Sequence, residues 1–107
     1  MAKQSAPVFP REQQLARALG QRIRAARLRR SVSLGEMAAR AGVTPKTLRR
    51  LEQGDLSVGL ALLIRTLSVL GLTDDIERIA SNDEIGQRLA EMRLPERPHR
   101  ARTGRQP

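Results

Sequence analysis

The stretch that most restricts what this chain can fold into runs from Ser33 to Gly54, SLGEMAARAGVTPKTLRRLEQG. Ser33 is an N-cap residue and Glu36 follows three positions later, the spacing at which two side chains reciprocally satisfy the free amides of a helix start. Met37, Ala38 and Ala41 give the short helix that follows an apolar face. Gly42 ends it, since glycine takes the left-handed conformation needed just past a helix at no steric cost. Val43 plugs the turn. Thr44 is a second N-cap, and Pro45 falls at the first helical position, where its missing N–H removes no bond. Leu48 and Leu51 anchor a second short helix, and Gly54 stops it. The small residues Ala38, Ala39 and Ala41 permit close approach of the two helices. Lys46, Thr47, Arg49 and Arg50 then fall on the side away from Leu48 and Leu51.

The flanking sequence supplies a core for this pair. From Glu12 to Arg30, Leu15, Leu19, Ile23 and Ala26 recur at helical spacing, with Arg17, Arg22, Arg24 and Arg29 on the other face. After the loop from Asp55 to Gly59, Leu60, Leu63, Ile64, Leu67 and Leu70 form the stripe expected to face the core, and Gly71 closes that helix. Thr73 is expected to cap a short acidic helix, and a last helix is expected over about 83–92. Phe9 is the only aromatic residue, so the core must come from aliphatic side chains, which suits packed helices better than sheets. The expectation is an all-α fold, a compact bundle of about five to six helices with disordered termini. Residues 1–10 read as a disordered lead-in, 11–72 as the main domain, 73–94 as a helical extension and 95–107 as a basic disordered tail.

Charge is divided along the chain as sharply as hydrophobicity. Residues 1–50 carry 12 basic and two acidic side chains, residues 51–92 carry three basic and eight acidic, and the remainder carries five basic and one acidic. The net charge of +9 points to a polyanionic partner, and the division assigns that partner to the first half. Arginines on a helix are often no more than a solvated face, and Arg22, Arg24, Arg29 and Arg30 fit that description as well as they fit phosphate contact.

The segment from Ser33 to Gly54, with about residues 18–72 around it, resembles the Xre/Cro-like phage-repressor class of helix-turn-helix proteins. The Leu-rich run LALLIRTLSVLGL resembles the closing helix of that class. The resemblance implies sequence-specific binding of double-stranded operator DNA as a transcriptional repressor. It places Pro45, Lys46, Arg49 and Arg50 in the major groove and Thr44 and Thr47 on phosphate. It also implies an inner salt bridge between Arg27 and Glu52. Leu34 stands where many members carry a glutamine that contacts the DNA backbone, and Ser33 and Arg40 are the candidates to replace that contact.

The second half, LGLTDDIERIA followed by DEIGQRLAEMRLPERPHR, resembles the C-terminal half of HipB-like antitoxin regulators. That resemblance implies an autoregulating component of a toxin–antitoxin operon with a HipA-like kinase toxin as partner. The alternatives are a stand-alone Xre-type regulator with no toxin and a protein-binding module that uses the motif as scaffold. Ile76, Ile79, Ile85, Leu89 and Met92 are surplus to the main core, and are expected to form a homodimer or partner interface.

Enzyme chemistry finds no support in the residues. Cysteine is absent, His99 is the only histidine, and no glycine-rich phosphate loop occurs. Asp74, Asp75, Asp83 and Glu84 cluster, but at helix starts, where capping explains them. No cofactor or metal is expected. With neither a signal-type apolar stretch nor a run long enough to span a membrane, the expected location is cytoplasmic, on the nucleoid.

Overall fold

The structure, a computed structural model, describes residues 9–93. Among these residues there are six α-helices and no strand: α1 (Pro10–Arg29), α2 (Leu34–Ala41), α3 (Pro45–Glu52), α4 (Leu60–Leu70), α5 (Thr73–Arg78) and α6 (Glu84–Arg93). The chain divides into two units, the first ending at Ile76 and the second starting at Glu77. The tail expected over 95–107 lies outside the described residues, as do residues 1–8 of the lead-in.

In the first unit, α3 packs against α1 and α2, and α4 packs against the same two helices. Ile23 and Ala26 from α1, Met37 and Ala38 from α2, Leu48 and Leu51 from α3, and Leu62, Leu67 and Leu70 from α4 form one core. Burial of this kind stabilises by about 1.5–3 kcal/mol for each large aliphatic side chain, before the entropy of ordering it. Arg65 Nη1 donates to the carbonyl oxygen of Ala41 at 3.2 Å, so α4 also satisfies an open carbonyl at the end of α2.

Several local expectations change. Pro10, read as part of the lead-in, is the first residue of α1, and Phe9 precedes it with extended backbone. Proline costs nothing at that position, so it begins the helix rather than delaying it. The face that α4 buries is carried by Leu62, Thr66, Leu67 and Leu70, whereas Leu60 and Ile64, placed in the stripe by sequence, are exposed. A helix with leucine or isoleucine at six of eleven positions has no unique apolar phase, and packing chooses it. Leu15 is likewise exposed at the start of α1. Thr73 is the first residue of α5 rather than its cap. Asp83 precedes α6 and accepts from the Gly86 amide at 3.0 Å.

Gly20 sets the spacing of α1 and α3. A Cβ at this position would run into the backbone carbonyl of Glu52 and lie 2.7 Å from that of Leu51. Only glycine lets the two helices meet backbone to backbone here. In the second unit, α6 buries none of its residues, and Ile85 and Met92 are 72% and 75% exposed.

Candidate nucleic-acid interface

The outward face of α3 follows from what its inward face must do. Leu48, Leu51 and Glu52 are buried, which turns Lys46, Arg49 and Arg50 away from the core. Thr44 begins the helix: its Oγ1 accepts from the Thr47 amide at 3.1 Å and lies 2.9 Å from Thr47 Oγ1. Pro45 is exposed at the first helical position. In α2 the capping box is complete. Ser33 Oγ accepts from the Glu36 amide at 3.0 Å, and Glu36 Oε1 accepts from the Ser33 amide at 2.9 Å. The hydrogen bond from the Ser33 backbone is the first reason that the Glu36 carboxyl titrates below its usual range. Arg40 is exposed near the far end of α2.

Beneath this face, Arg27 and Glu52 clamp α1 to α3. Arg27 Nε and Nη2 donate to Glu52 Oε2 and Oε1 at 2.7 and 3.0 Å, and Nη1 donates to the Val32 carbonyl at 2.9 Å. Both side chains are buried. The hydrogen bond to Glu52 raises the Arg27 pKa, and burial opposes it. A bidentate pair with its remaining donor satisfied meets the conditions under which a buried ion pair is tolerated.

Arg24, Arg27, Leu34, Arg49, Glu52 and Gln53 line a polar cleft of about 260 Å³ between α1, the start of α2 and α3. Gln53 carries no expectation from sequence, and Arg24 is one of the arginines that fit a solvated face and phosphate contact equally well. Arg24 sits one helical turn before Arg27, and that i, i+3 relation was the available signal.

Arg50 is held from the loop that follows α3. Its Nε donates to Asp55 Oδ2 at 2.8 Å and its Nη2 to Ser57 Oγ at 2.6 Å. The Ser57 amide and hydroxyl in turn donate to Asp55 Oδ1, at 2.8 and 2.6 Å. The hydroxyl of Ser57, then the guanidinium of Arg50, hold the Asp55 carboxyl far below its ordinary value. The helix end makes this arrangement. Gly54 has φ +81°, its amide donates to the Leu51 carbonyl at 3.0 Å, and the Asp55 amide donates to the Arg50 carbonyl, also at 3.0 Å. This left-handed closure folds the chain back over the last turn and delivers Asp55 beside Arg50. Neither Asp55 nor Ser57 was singled out from sequence, although Asp-x-Ser just past a helix-ending glycine is a local hydrogen-bonding pattern.

Of the apolar residues assigned to an interface, Ile76 packs against the core of the first unit. Ile79, Ile85, Leu89 and Met92 are exposed. Among the described residues, no helix is long and apolar enough to cross a membrane.

Over residues 18–79, more than half of the chain, the sequence matches the family model described as a helix-turn-helix domain. No curated protein matches the chain.

Proposed function

Because the chain belongs to the helix-turn-helix domain family, in its Xre/Cro-like class, and is on that ground a DNA-binding regulator, we propose that it is a sequence-specific transcriptional repressor that docks α3 in the major groove of operator DNA. The observation that carries this reading is the division of α3 into a buried side of Leu48, Leu51 and Glu52 and an outward side of Lys46, Arg49 and Arg50. Arginine and lysine in the groove read guanine through its two acceptor atoms. Thr44 and Thr47 at the start of the helix are assigned to phosphate, and Pro45 to the groove with Lys46, Arg49 and Arg50. Ser33 and Arg40 take the backbone contact that Leu34 cannot make. The cleft between Arg24 and Arg49 is cationic at its rim and suits a further phosphate.

Selection of bound duplexes from a random pool tests this directly. A defined site should emerge, and Arg49→Ala or Arg50→Ala should weaken binding to it by about 1–3 kcal/mol. Recovery of no preferred duplex would leave only sequence-independent binding.

A homodimer doubles a small footprint and makes the selected site palindromic. The exposed Ile85, Leu89 and Met92 on α6 support a self-contact or partner contact there. The finer role, an autoregulating antitoxin-type protein paired with a HipA-like kinase toxin, rests on the sequence resemblance of the second half and on that exposed stripe. The alternative is a regulator with no toxin. Co-purification of the chain with the product of the adjacent reading frame separates them. Light scattering that shows a monomer at micromolar concentration, together with a non-palindromic site, excludes the dimer.

A further inference from the structure

We propose that Asp55 and Ser57 are positioning residues that aim Arg50 at a base and confine it to that task. The inference rests on the proposed reading of α3 as the DNA-contacting helix, and it assigns a function to two residues that make no claim on DNA themselves.

The guanidinium of Arg50 has five N–H groups. One is spent on Asp55 through Nε and one on Ser57 through Nη2. The three that remain include a neighbouring pair, one on each terminal nitrogen, and that pair matches the two acceptors on the major-groove edge of guanine. One edge of the guanidinium is tied down, and the side chain as a whole remains 42% exposed. An arginine on a flexible stem gives up rotamer freedom when it reads a base. Here that loss falls on folding, because Asp55 is delivered by the left-handed closure at Gly54 and braced by both the amide and the hydroxyl of Ser57.

Charge gives the second half of the argument. A carboxylate beside a DNA-facing helix repels phosphate, and a free arginine attracts any phosphate. Paired, the two cancel at a distance, so Arg50 contributes discrimination without adding to sequence-independent attraction. Among the described residues no carboxylate pairs with Lys46 or Arg49, and they keep their long-range pull.

The test uses the full chain and three probes: the duplex recovered by selection, its single-base-pair variants, and a scrambled duplex of equal length. Asp55→Asn should lose roughly tenfold of the discrimination at one base pair. It should keep discrimination elsewhere and bind the scrambled duplex at least as tightly as the parent. Arg50→Ala should lose discrimination at that same base pair, and combining it with Asp55→Asn should remove nothing more, since the two act as one unit. Ser57→Ala, which leaves the ion pair in place, should show a smaller loss at that position only. A uniform loss across all base pairs in Asp55→Asn makes the network a mere loop brace and overturns the proposal. Unchanged discrimination in Ser57→Ala overturns it even if Asp55→Asn fails to fold. If Arg50→Ala changes nothing while Lys46→Ala and Arg49→Ala weaken binding, the positioning role falls and the reading of α3 stands. If none of the three alters binding, the reading of α3 itself has failed.

Discussion

Two short amphipathic helices of this chain have opposite fates. α3 buries Leu48 completely and Leu51 to 5% exposure, whereas on α6, which is no shorter, Leu89 remains 52% exposed. Helical periodicity is present in both. Both also carry a side-chain cap, Thr44 on α3 and Asp83 on α6. What α3 has in addition is a pair of fixed attachments: the carbonyl of Glu52 against Gly20, and the Arg27–Glu52 clamp. An apolar stripe states that a helix can be buried. Close approaches and a satisfied charge determine whether the chain itself buries it.

Glu52→Ala should sharpen this contrast most. It strands the buried Arg27 guanidinium and should cost about 3–5 kcal/mol. Glu12→Ala, at an exposed position, serves as the control. Equal melting temperatures for the two variants would remove the clamp from the account. Next come paired truncations. Leu48→Ala should cost about 2–5 kcal/mol by transfer and cavity terms, and Leu89→Ala under about 0.5 kcal/mol in dilute solution. A Leu89→Ala effect that grows with protein concentration locates an assembly contact on α6, and equal effects at high dilution would erase the distinction between the two helices. Gly20→Ala should then lose about 1–3 kcal/mol in urea unfolding, although alanine is the better helix former, because the backbone of α3 has to yield. A gain in stability would show that α1 and α3 have room to spare.

The smallest effect is that of acid. Glu36 and Asp55 both titrate below their ordinary values of 4.5 and 3.8 in the folded protein. The unfolded chain therefore takes up these protons first. The contribution is fully present above the ordinary carboxylate range and disappears as pH falls through and below it. Glu36 is exposed and Asp55 only partly buried, so a modest decline is expected, and Asp55→Asn should flatten part of it. A melting temperature independent of pH from 6 down to about 3 would argue against both networks.

What could be read in advance was whatever lay close together along the chain. The Ser33–Glu36 box and the Thr44–Pro45 start involve residues no more than three apart, and an all-helical fold follows from them together with aliphatic periodicity. The buried face of α4 could not be read, because leucines at 60, 62, 63, 67 and 70 support more than one phase. Gly20 carried no local sign of its role, since the atoms that exclude a Cβ there belong to Leu51 and Glu52, some thirty residues on. Asp55 was within reach of local reasoning. An acidic residue beside a basic helix looks like an interruption of its charge, when here it is the partner of Arg50.

The mount of α3 and its outward surface use different atoms. The helix is fixed by Leu48, Leu51, the Glu52 carboxylate and a backbone carbonyl against Gly20, and none of these lies at positions 46, 49 or 50. Side chains at those three positions are therefore free to vary without displacing the helix that carries them. A scaffold of this kind can be re-addressed: new target sequences are within reach of a few surface substitutions, with the fold left as a constant. Arg50 is the exception, because any replacement there also orphans Asp55, so re-addressing at that position has to change two residues together.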